Sequence, residues 1–276
     1  MVNNLATKFM NLRQERKLSL RDAAGDITTA ATLSRFERGS TQLSANTFIE
    51  LLDSLHFDWS LFAEPSSNLV MPLTIRIDNA VERRSVQQLK DLEEQMQPAT
   101  NKVLTLTCVL YRATFGDAVA QLSERVDQAV DIIVKTENWT PIIFRLVGAT
   151  VFFVEPSLLN ELRRMTLSQI NRNVSEQETG QRVLAYNIFY WIAVRHLNQG
   201  DYAACQKLLE TVFEMENTLF TMPWHTRFII IQEICKQKLG EEVDPSLIQD
   251  IFEVLAEFQN DYFAKGLKAD LSKFLK

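Results

Sequence analysis

Apolar residues recur at helical spacing along almost the whole chain, in segments that end at short polar or glycine-containing breaks. Leu5, Phe9 and Leu12 form the first such set. A spacing of three or four residues places apolar side chains on one face of an α-helix. Only 8 glycines and 7 prolines interrupt 276 residues, of which 46% are apolar. The pattern therefore predicts an all-α protein that buries a sizeable core and holds more than one domain.

The first 65 residues contain helix-start and helix-stop signals at close intervals. Ser19 can cap a second helix that ends at Gly25, and Thr28 or Thr29 can cap a third that ends at Gly39. Ser44 and Asp58 can cap two more. The predicted helices cover about residues 4–17, 19–24, 30–38, 45–57 and 59–63. Five short helices with a tight turn between the second and third predict a helix-turn-helix unit over residues 1–65.

The third of these helices has one apolar face and one that suits a nucleic acid. Leu33 and Phe36 face the core, which turns Ala30, Ala31 and Arg35 outward together. An arginine can reach guanine O6 and N7 or a phosphate, and alanine can meet a thymine methyl group. The alternative is that Arg35 and Arg38 only solvate an exposed helix face.

The charge of the chain restricts where nucleic acid could bind. The net charge is -6, which argues against binding over the whole surface, so any contact is local. Residues 1–40 carry seven lysines and arginines against four acidic residues, and residues 41–65 add four more acidic residues. Because the field of one unit is weak, the pattern predicts a homodimer that binds two half-sites.

The segment LSRFERG, followed by a capped helix with paired leucines and a WSLF turn, resembles a known domain. It is similar to the lambda-repressor-type helix-turn-helix domain of the Rgg/GadR/MutR transcriptional regulators of Gram-positive bacteria. The resemblance implies binding of double-stranded DNA. It also implies that Arg13 and Glu37 form a buried, structural ion pair. The candidate DNA-binding residues are Arg13, Thr29, Ala30, Ala31, Thr32, Arg35, Arg38, Ser40 and Thr41.

A short polar segment, residues 66–71, is the predicted linker to a second region, residues 72–276. Ten helices with short connections predict stacked antiparallel pairs, an α-solenoid. The turn NQGDY, followed by Ala203 and Ala204, is typical of a tetratricopeptide-like (TPR-like) pair. The predicted helices cover about residues 72–97, 99–115, 118–137, 140–154, 157–171, 179–198, 202–217, 224–239, 245–259 and 262–275.

The stretch WTPIIFRLVGATVFFVEPSLLNEL resembles the regulatory domain of the same family. The resemblance implies helical repeats that bind a short signalling peptide, as in quorum sensing, and terminal helices that help to form a homodimer. Polar and aromatic residues within apolar helices are the candidate peptide-binding residues: Arg145, Tyr186, Asn187, Tyr190 and Trp191. The alternative is that Arg145 pairs with a nearby acidic residue and Asn187 caps or bridges helices. Two features depart from the family. Ala149 stands where relatives often have asparagine, so the ligand specificity of those relatives does not carry over. The first 65 residues contain no cysteine, so the disulfide that cross-links the dimers of some relatives is not expected here.

The chain lacks the common signatures of an enzyme. It contains no GxSxG, GxxxxGK[ST], HExxH or GxGxxG, and its three histidines and three cysteines are scattered. We expect no enzyme activity, cofactor or metal, reduced cysteines in the core, no membrane contact and a cytoplasmic location. Two alternatives to a peptide-gated regulator stay open. One is a DNA-binding regulator that responds to pH or to a protein partner, and the other is an interaction scaffold that does not bind DNA.

Overall fold

The computed structural model divides the chain into two compact units, Met1–Val70 and Met71–Lys276. It describes residues 5–57, 62, 72–96, 101–172, 179–215, 220–257 and 261–275. Over these ranges the secondary structure is helical, with fifteen α-helices and no β-strand. The expected all-α fold class is therefore confirmed.

The first unit contains four described helices, and the starts of three of them carry side-chain caps. Ser19 and Asp22 form a reciprocal capping box at α2, Thr29 caps α3 and Ser44 caps α4. Each cap hydroxyl accepts a backbone N–H that has no partner within the helix, which fixes where the helix begins. The bounds are α1 Leu5–Glu15, α2 Leu20–Ala24, α3 Ala30–Glu37 and α4 Ala45–Ser54.

An aromatic cluster forms the centre of the first unit. Phe9 is fully buried, and the rings of Phe36, Phe48, Phe57 and Phe62 surround it at centroid distances of 5.8–6.4 Å. Leu33 is fully buried beside them, as the helix pattern predicted. The predicted fifth helix, residues 59–63, and the predicted linker, residues 66–71, fall outside the described residues except for the buried Phe62.

The second unit consists of α5 to α15. Nine of these helices agree in place with the predicted segments, but the predicted helix over residues 72–97 is wrong. Arg84, with φ of 50°, breaks it into α5 and α6, and Ser85 caps the second half. The bounds are α5 Leu73–Glu82, α6 Val86–Gln95, α7 Lys102–Thr114, α8 Leu122–Lys135, α9 Pro141–Thr150, α10 Pro156–Arg172, α11 Thr179–Gln199, α12 Tyr202–Phe213, α13 Met222–Leu239, α14 Leu247–Glu257 and α15 Asp261–Leu271.

The helices of the second unit stack as TPR-like pairs around one apolar core. The odd-numbered helices α5, α7, α9, α11 and α13 pack in order, each against the next, and form what we call the inner row. Consecutive helices also pack on each other, and α15 returns to α5. Cys108, Cys205 and Cys235 are buried with free thiols, so the prediction of core cysteines is confirmed. None of the described helices is long and apolar enough to cross a membrane.

Candidate functional sites

The first candidate site is the outer face of α3. Leu33 and Phe36 are buried, whereas Ala31 and Arg35 are exposed and Ala30 is half-buried. Thr29 and Thr32, at the N-terminus of α3, are hydrogen-bonded to each other through their hydroxyls. The structure therefore places the candidate base-reading side chains on one solvent-facing surface.

The polar residues at the C-terminal end of α3 are also accessible. Arg35 and Arg38 each donate Nε to a carbonyl one turn back on the same helix, at 3.4 and 3.2 Å. Ser40 donates its hydroxyl to the Arg35 carbonyl at 2.9 Å. Arg38 and Ser40 are exposed and Thr41 is half-buried. These short-range hydrogen bonds leave both guanidinium groups at the surface, where each can contact a phosphate group.

Arg13 requires a correction, because it lies inside the first unit. Its Nε and Nη2 donate to the two carboxylate oxygens of Glu37 at 2.6 and 2.7 Å, and its Nη1 donates to the Leu18 carbonyl at 2.6 Å. Both side chains are at least nine-tenths buried. The expected Arg13–Glu37 ion pair is confirmed. A buried guanidinium with all three nitrogens bonded inside the protein cannot also contact DNA, so Arg13 leaves the DNA-binding set.

The second candidate site lies on the inner row of the second unit. Arg145 on α9 forms two hydrogen bonds, of 2.7 and 2.6 Å, with the carboxylate of Asp78 on α5. It also donates to the Pro141 carbonyl at 3.0 Å. The Arg145 side chain is mostly buried and that of Asp78 is half-exposed. Arg145 therefore pairs with an acidic residue inside the protein, which is the alternative interpretation given for it above.

Asn187 on α11 also has a partner within the protein. Its Oδ1 accepts a hydrogen bond from the Tyr111 hydroxyl on α7 at 3.3 Å. Gly148 on α9 makes room for this pair, since a Cβ there would lie 2.9 Å from the Tyr111 hydroxyl and 3.1 Å from Asn187 Oδ1. Burial raises the pKa of Tyr111 well above its usual value, so this hydroxyl keeps its proton. Asn187 therefore bridges two helices of the inner row.

Tyr190 and Trp191 belong to a small cavity that we call the inner pocket. It is lined by Val81, Glu82, Arg84, Asn187, Tyr190, Trp191, Trp224, Arg227, Gly266 and Asp270. Tyr190 donates its hydroxyl to Asp270 of α15 at 2.5 Å. Arg227 forms an ion pair with Glu82 and lies over the Trp224 ring at 4.2 Å. The pocket thus combines aromatic rings with two guanidinium and two carboxylate groups.

Tyr186 does not line the inner pocket. It is fully buried between α11 and α13, against His225 and Phe228. Its hydroxyl lies 3.1 Å from Nε2 of His225. The helical pattern could not separate it from Tyr190, because residues four apart lie on the same side of a helix and only the packing shows which of them a neighbour covers.

The sequence interpretation named three of the ten lining residues of the inner pocket, and the charged or aromatic ones that it missed include Arg84, Trp224, Arg227 and Asp270. Arg84 lies within a segment that was predicted to be one continuous helix. Trp224 and Arg227 lie on α13, which has almost no amphipathic pattern, and Asp270 lies on the amphipathic helix α15. Burial lowers the pKa of Arg84, and the nearby Tyr190 and Glu82 oppose that shift. The only local signal was the arginine pair at residues 83–84, which interrupts an apolar period.

The fold defined by these elements is a helix-turn-helix unit followed by TPR-like helical repeats, and solved structures share it over nearly their full length. Rgg2, the SHP pheromone receptor of Streptococcus dysgalactiae, has a TM-score of 0.68 at 17% identity, over 98% of this chain and 99% of that chain. A candidate transcriptional regulator of Listeria monocytogenes has a TM-score of 0.78 at 14% identity, over 99% of this chain and 98% of that one.

A third structure with this fold was solved with two ligands. PlcR of Bacillus thuringiensis, in complex with the peptide PapR7 and DNA, has a TM-score of 0.63 at 11% identity, over 98% of this chain and 99% of that one. No family model and no curated protein matches the sequence. The resemblance drawn from the sequence is therefore confirmed at the level of the fold.

Proposed function

We propose that this protein is a sequence-specific, DNA-binding transcriptional regulator whose activity is gated by a short signalling peptide. The observation that carries the DNA-binding part of this proposal is the outer face of α3, where Ala31, Arg35 and Arg38 are exposed. The start of this helix is capped and its opposite face is buried. Such a helix can enter the major groove without rearrangement of its own unit. The PlcR structure, which contains DNA, supports this use of the fold.

A mobility-shift experiment tests DNA binding directly. The full-length protein is titrated onto the DNA upstream of its own gene and onto a scrambled duplex of equal length and composition. We expect a shift of the upstream DNA at concentrations that leave the scrambled duplex free. Equal affinity for the two duplexes, or none for either, would favour the interaction scaffold, the alternative that does not read DNA.

The inner row supports the peptide-sensing part of the proposal. Arg145, Asn187 and Tyr190 lie on its successive helices, and each is bonded to a side chain of another helix. A peptide in this place can exchange those bonds for bonds to its own backbone and carboxylates, while Trp191 and Trp224 accept apolar side chains. Rgg2, an SHP pheromone receptor, and PlcR, which was solved with the peptide PapR7, support a peptide as the ligand.

Calorimetry tests the peptide. The probes are the short peptides encoded beside the gene, and the variants are Arg145→Ala and Asn187→Ala. Lys135→Ala, which removes an exposed residue on α8, is the control. We expect binding by the wild type and by the control, and loss of affinity in both inner-row variants. Binding by no local peptide would favour the regulator that responds to pH or to a protein partner.

A homodimer completes the proposal. On α14 no residue is fully buried, and Val254 is 54% exposed on a strongly amphipathic helix. Other apolar residues of this helix are only half-buried against the core, and a terminal repeat whose apolar residues are incompletely covered suits contact with a second copy. Sedimentation of the full chain at micromolar concentration should give a dimer, with or without DNA. A monomer under both conditions would contradict this part of the proposal.

A further inference from the structure

The C-terminal helix α15 closes the inner pocket by packing at backbone distance against the end of α5. A Cβ at Gly266 would lie 2.8 Å from the carbonyl oxygen of Glu82, so only glycine fits this crossing. Leu267 and Leu271 are buried in the main core of the unit. The last helix of the repeat region therefore reaches the first, although α15 is joined by the chain only to α14.

Asp270 directs its carboxylate into the pocket from α15. It forms an ion pair with Arg84 and accepts the hydrogen bond of Tyr190 at 2.5 Å. The Arg84 guanidinium also lies over the rings of Phe115 and Trp191, at 5.2 and 5.8 Å. Two donors, Arg84 between α5 and α6 and Tyr190 on α11, thus converge on one carboxylate among aromatic rings, an arrangement that suits the charge of that group.

The backbone at Arg84 is unusual for an arginine. Its φ of 50° lies in the left-handed region, and Ser85 N donates to the Ala80 carbonyl at 2.9 Å. Glycine normally occupies this position after a helix, because it alone adopts the conformation without steric cost. Among the described residues Lys17, His56 and Gln121 also have positive φ values, so the side-chain contacts of Arg84, and not its backbone, distinguish it.

The inner pocket has little room for a ligand while α15 is in place. The cavity between its lining side chains is about 10 Å³, about the volume that a single water molecule needs. Pockets that bind small ligands have roughly 300–1,000 Å³, and a peptide of several residues needs the upper part of that range or more. A ligand that reaches Arg84 must therefore displace at least the end of α15.

We infer that Arg84 and Tyr190 form a carboxylate-binding site, which Asp270 fills in this structure and which a peptide ligand takes by offering a carboxylate of its own. The inference rests on the proposed peptide-sensing function and adds the chemistry and the occupant of the site. The acidic group is required because removal of Asp270 alone would leave the mostly buried Arg84 guanidinium without its ion-pair partner. Exchange of one carboxylate for another avoids that cost and releases α15.

Hydrogen exchange tests the role of Asp270 without any ligand. The full-length variants are Asp270→Asn, Gly266→Ala and the control Glu253→Gln, which removes an exposed acid on α14. We expect the first two to raise amide exchange in α15 by about tenfold or more, since a charge-assisted contact is lost or the crossing is blocked. Amide exchange in α9 of these two variants should match that of the wild type. The control variant should match the wild type in α15 as well. Unchanged exchange of α15 in Asp270→Asn would overturn the inference.

A peptide from the chain itself tests the carboxylate preference. The probe is a synthetic copy of residues 261–276, made either with Asp or with Asn at position 270. We expect the Asp form to bind the full-length Asp270→Asn protein about tenfold more tightly than the Asn form. The wild type should bind neither well, because its own α15 is present at an effective concentration on the order of millimolar. Equal binding of the two forms would overturn the site.

Arg84→Asn supplies the remaining arm, since asparagine tolerates the left-handed backbone and removes the charge. Combined with Asp270→Asn, it should abolish the difference between the two probes, and a difference that persists would overturn the role of Arg84. These measurements involve neither DNA nor a pheromone, so their failure leaves the regulator proposal intact. One further result bears on the displacement step: a gene-encoded peptide that binds the wild type without raising amide exchange in α15. That result would overturn the claim that the ligand displaces Asp270.

Discussion

The two candidate sites differ in how their side chains are held. On α3, Arg35 and Arg38 bond only short-range carbonyls of their own helix and remain exposed. On the inner row, Arg145, Asn187 and Tyr190 are each bonded to a side chain on another helix. A site of the first kind can meet its partner as it stands. A site of the second kind can bind a ligand only by exchanging internal bonds, which links binding to movement of helices.

The same contrast separates two arginines of the first unit, Arg13 on α1 and Arg35 on α3. Arg13 lies within and supports the fold, whereas Arg35 lies outside and is free to contact a ligand surface. Both residues were among the candidate DNA-binding residues, although the family resemblance already implied an ion pair between Arg13 and Glu37.

The largest effect should come from Glu37→Ala. Removal of one partner of a buried ion pair leaves the other uncompensated and costs about 3–5 kcal/mol of stability. Native-state hydrogen exchange of α1 and α3 reports the unfolding of this unit separately from the second unit. Arg13→Met combined with Glu37→Leu should recover much of the loss. A loss below about 1 kcal/mol in the single variant would contradict the internal role of the pair.

Gly148→Ala should disturb the inner row. The added methyl group meets the Tyr111 hydroxyl and Asn187 Oδ1, so we expect a loss of about 1–3 kcal/mol in thermal unfolding. Gly180→Ala is the matched control, because no atom lies within 4 Å of a Cβ built there. Alanine should be neutral or slightly stabilising in that helix. Equal behaviour of the two variants would mean that the bridge between Tyr111 and Asn187 is not tightly packed.

Arg35→Ala should affect DNA affinity and leave stability unchanged. If Arg35 contacts a guanine, specific affinity falls by about 1–3 kcal/mol and preference for that base is lost. Arg38→Ala should weaken all duplexes alike, as removal of a phosphate contact does. Competition mobility shifts with single-base operator variants distinguish the two. Unchanged affinity and base preference in Arg35→Ala would place another surface in the groove.

The smallest effect concerns pH. Burial lowers the pKa of His225 below its ordinary value of 6.5, so the folded protein favours the neutral ring. The unfolded chain then binds more protons, and stability is full above about pH 6.5 and declines as the pH falls through the lowered value. Urea unfolding at pH 7.5 and 5.5 should show this decline, and His225→Gln should reduce it. An equal decline in both proteins would assign it to another group, such as His196, whose pKa burial also lowers.

Much of the architecture could be predicted because its signals are local. The caps at Ser19, Thr29 and Ser44 each join residues three apart, so the chain alone indicates where α2, α3 and α4 begin. The break at Arg84 was missed because an arginine in the left-handed conformation carries none of the usual glycine or proline signals.

The inner row shows where local signals end. The helical period identified Arg145, Asn187 and Tyr190 as polar or aromatic residues within apolar helices, and it placed them on α9 and α11. It could not supply their partners: Arg145 and Asp78 are 67 positions apart, and Tyr190 and Asp270 are 80 positions apart. The sequence determined each helix and its faces, because hydrogen bonds and apolar spacing act within a few residues. The stacking of the helices decided which polar groups meet, because those contacts join segments that only the packed core brings together.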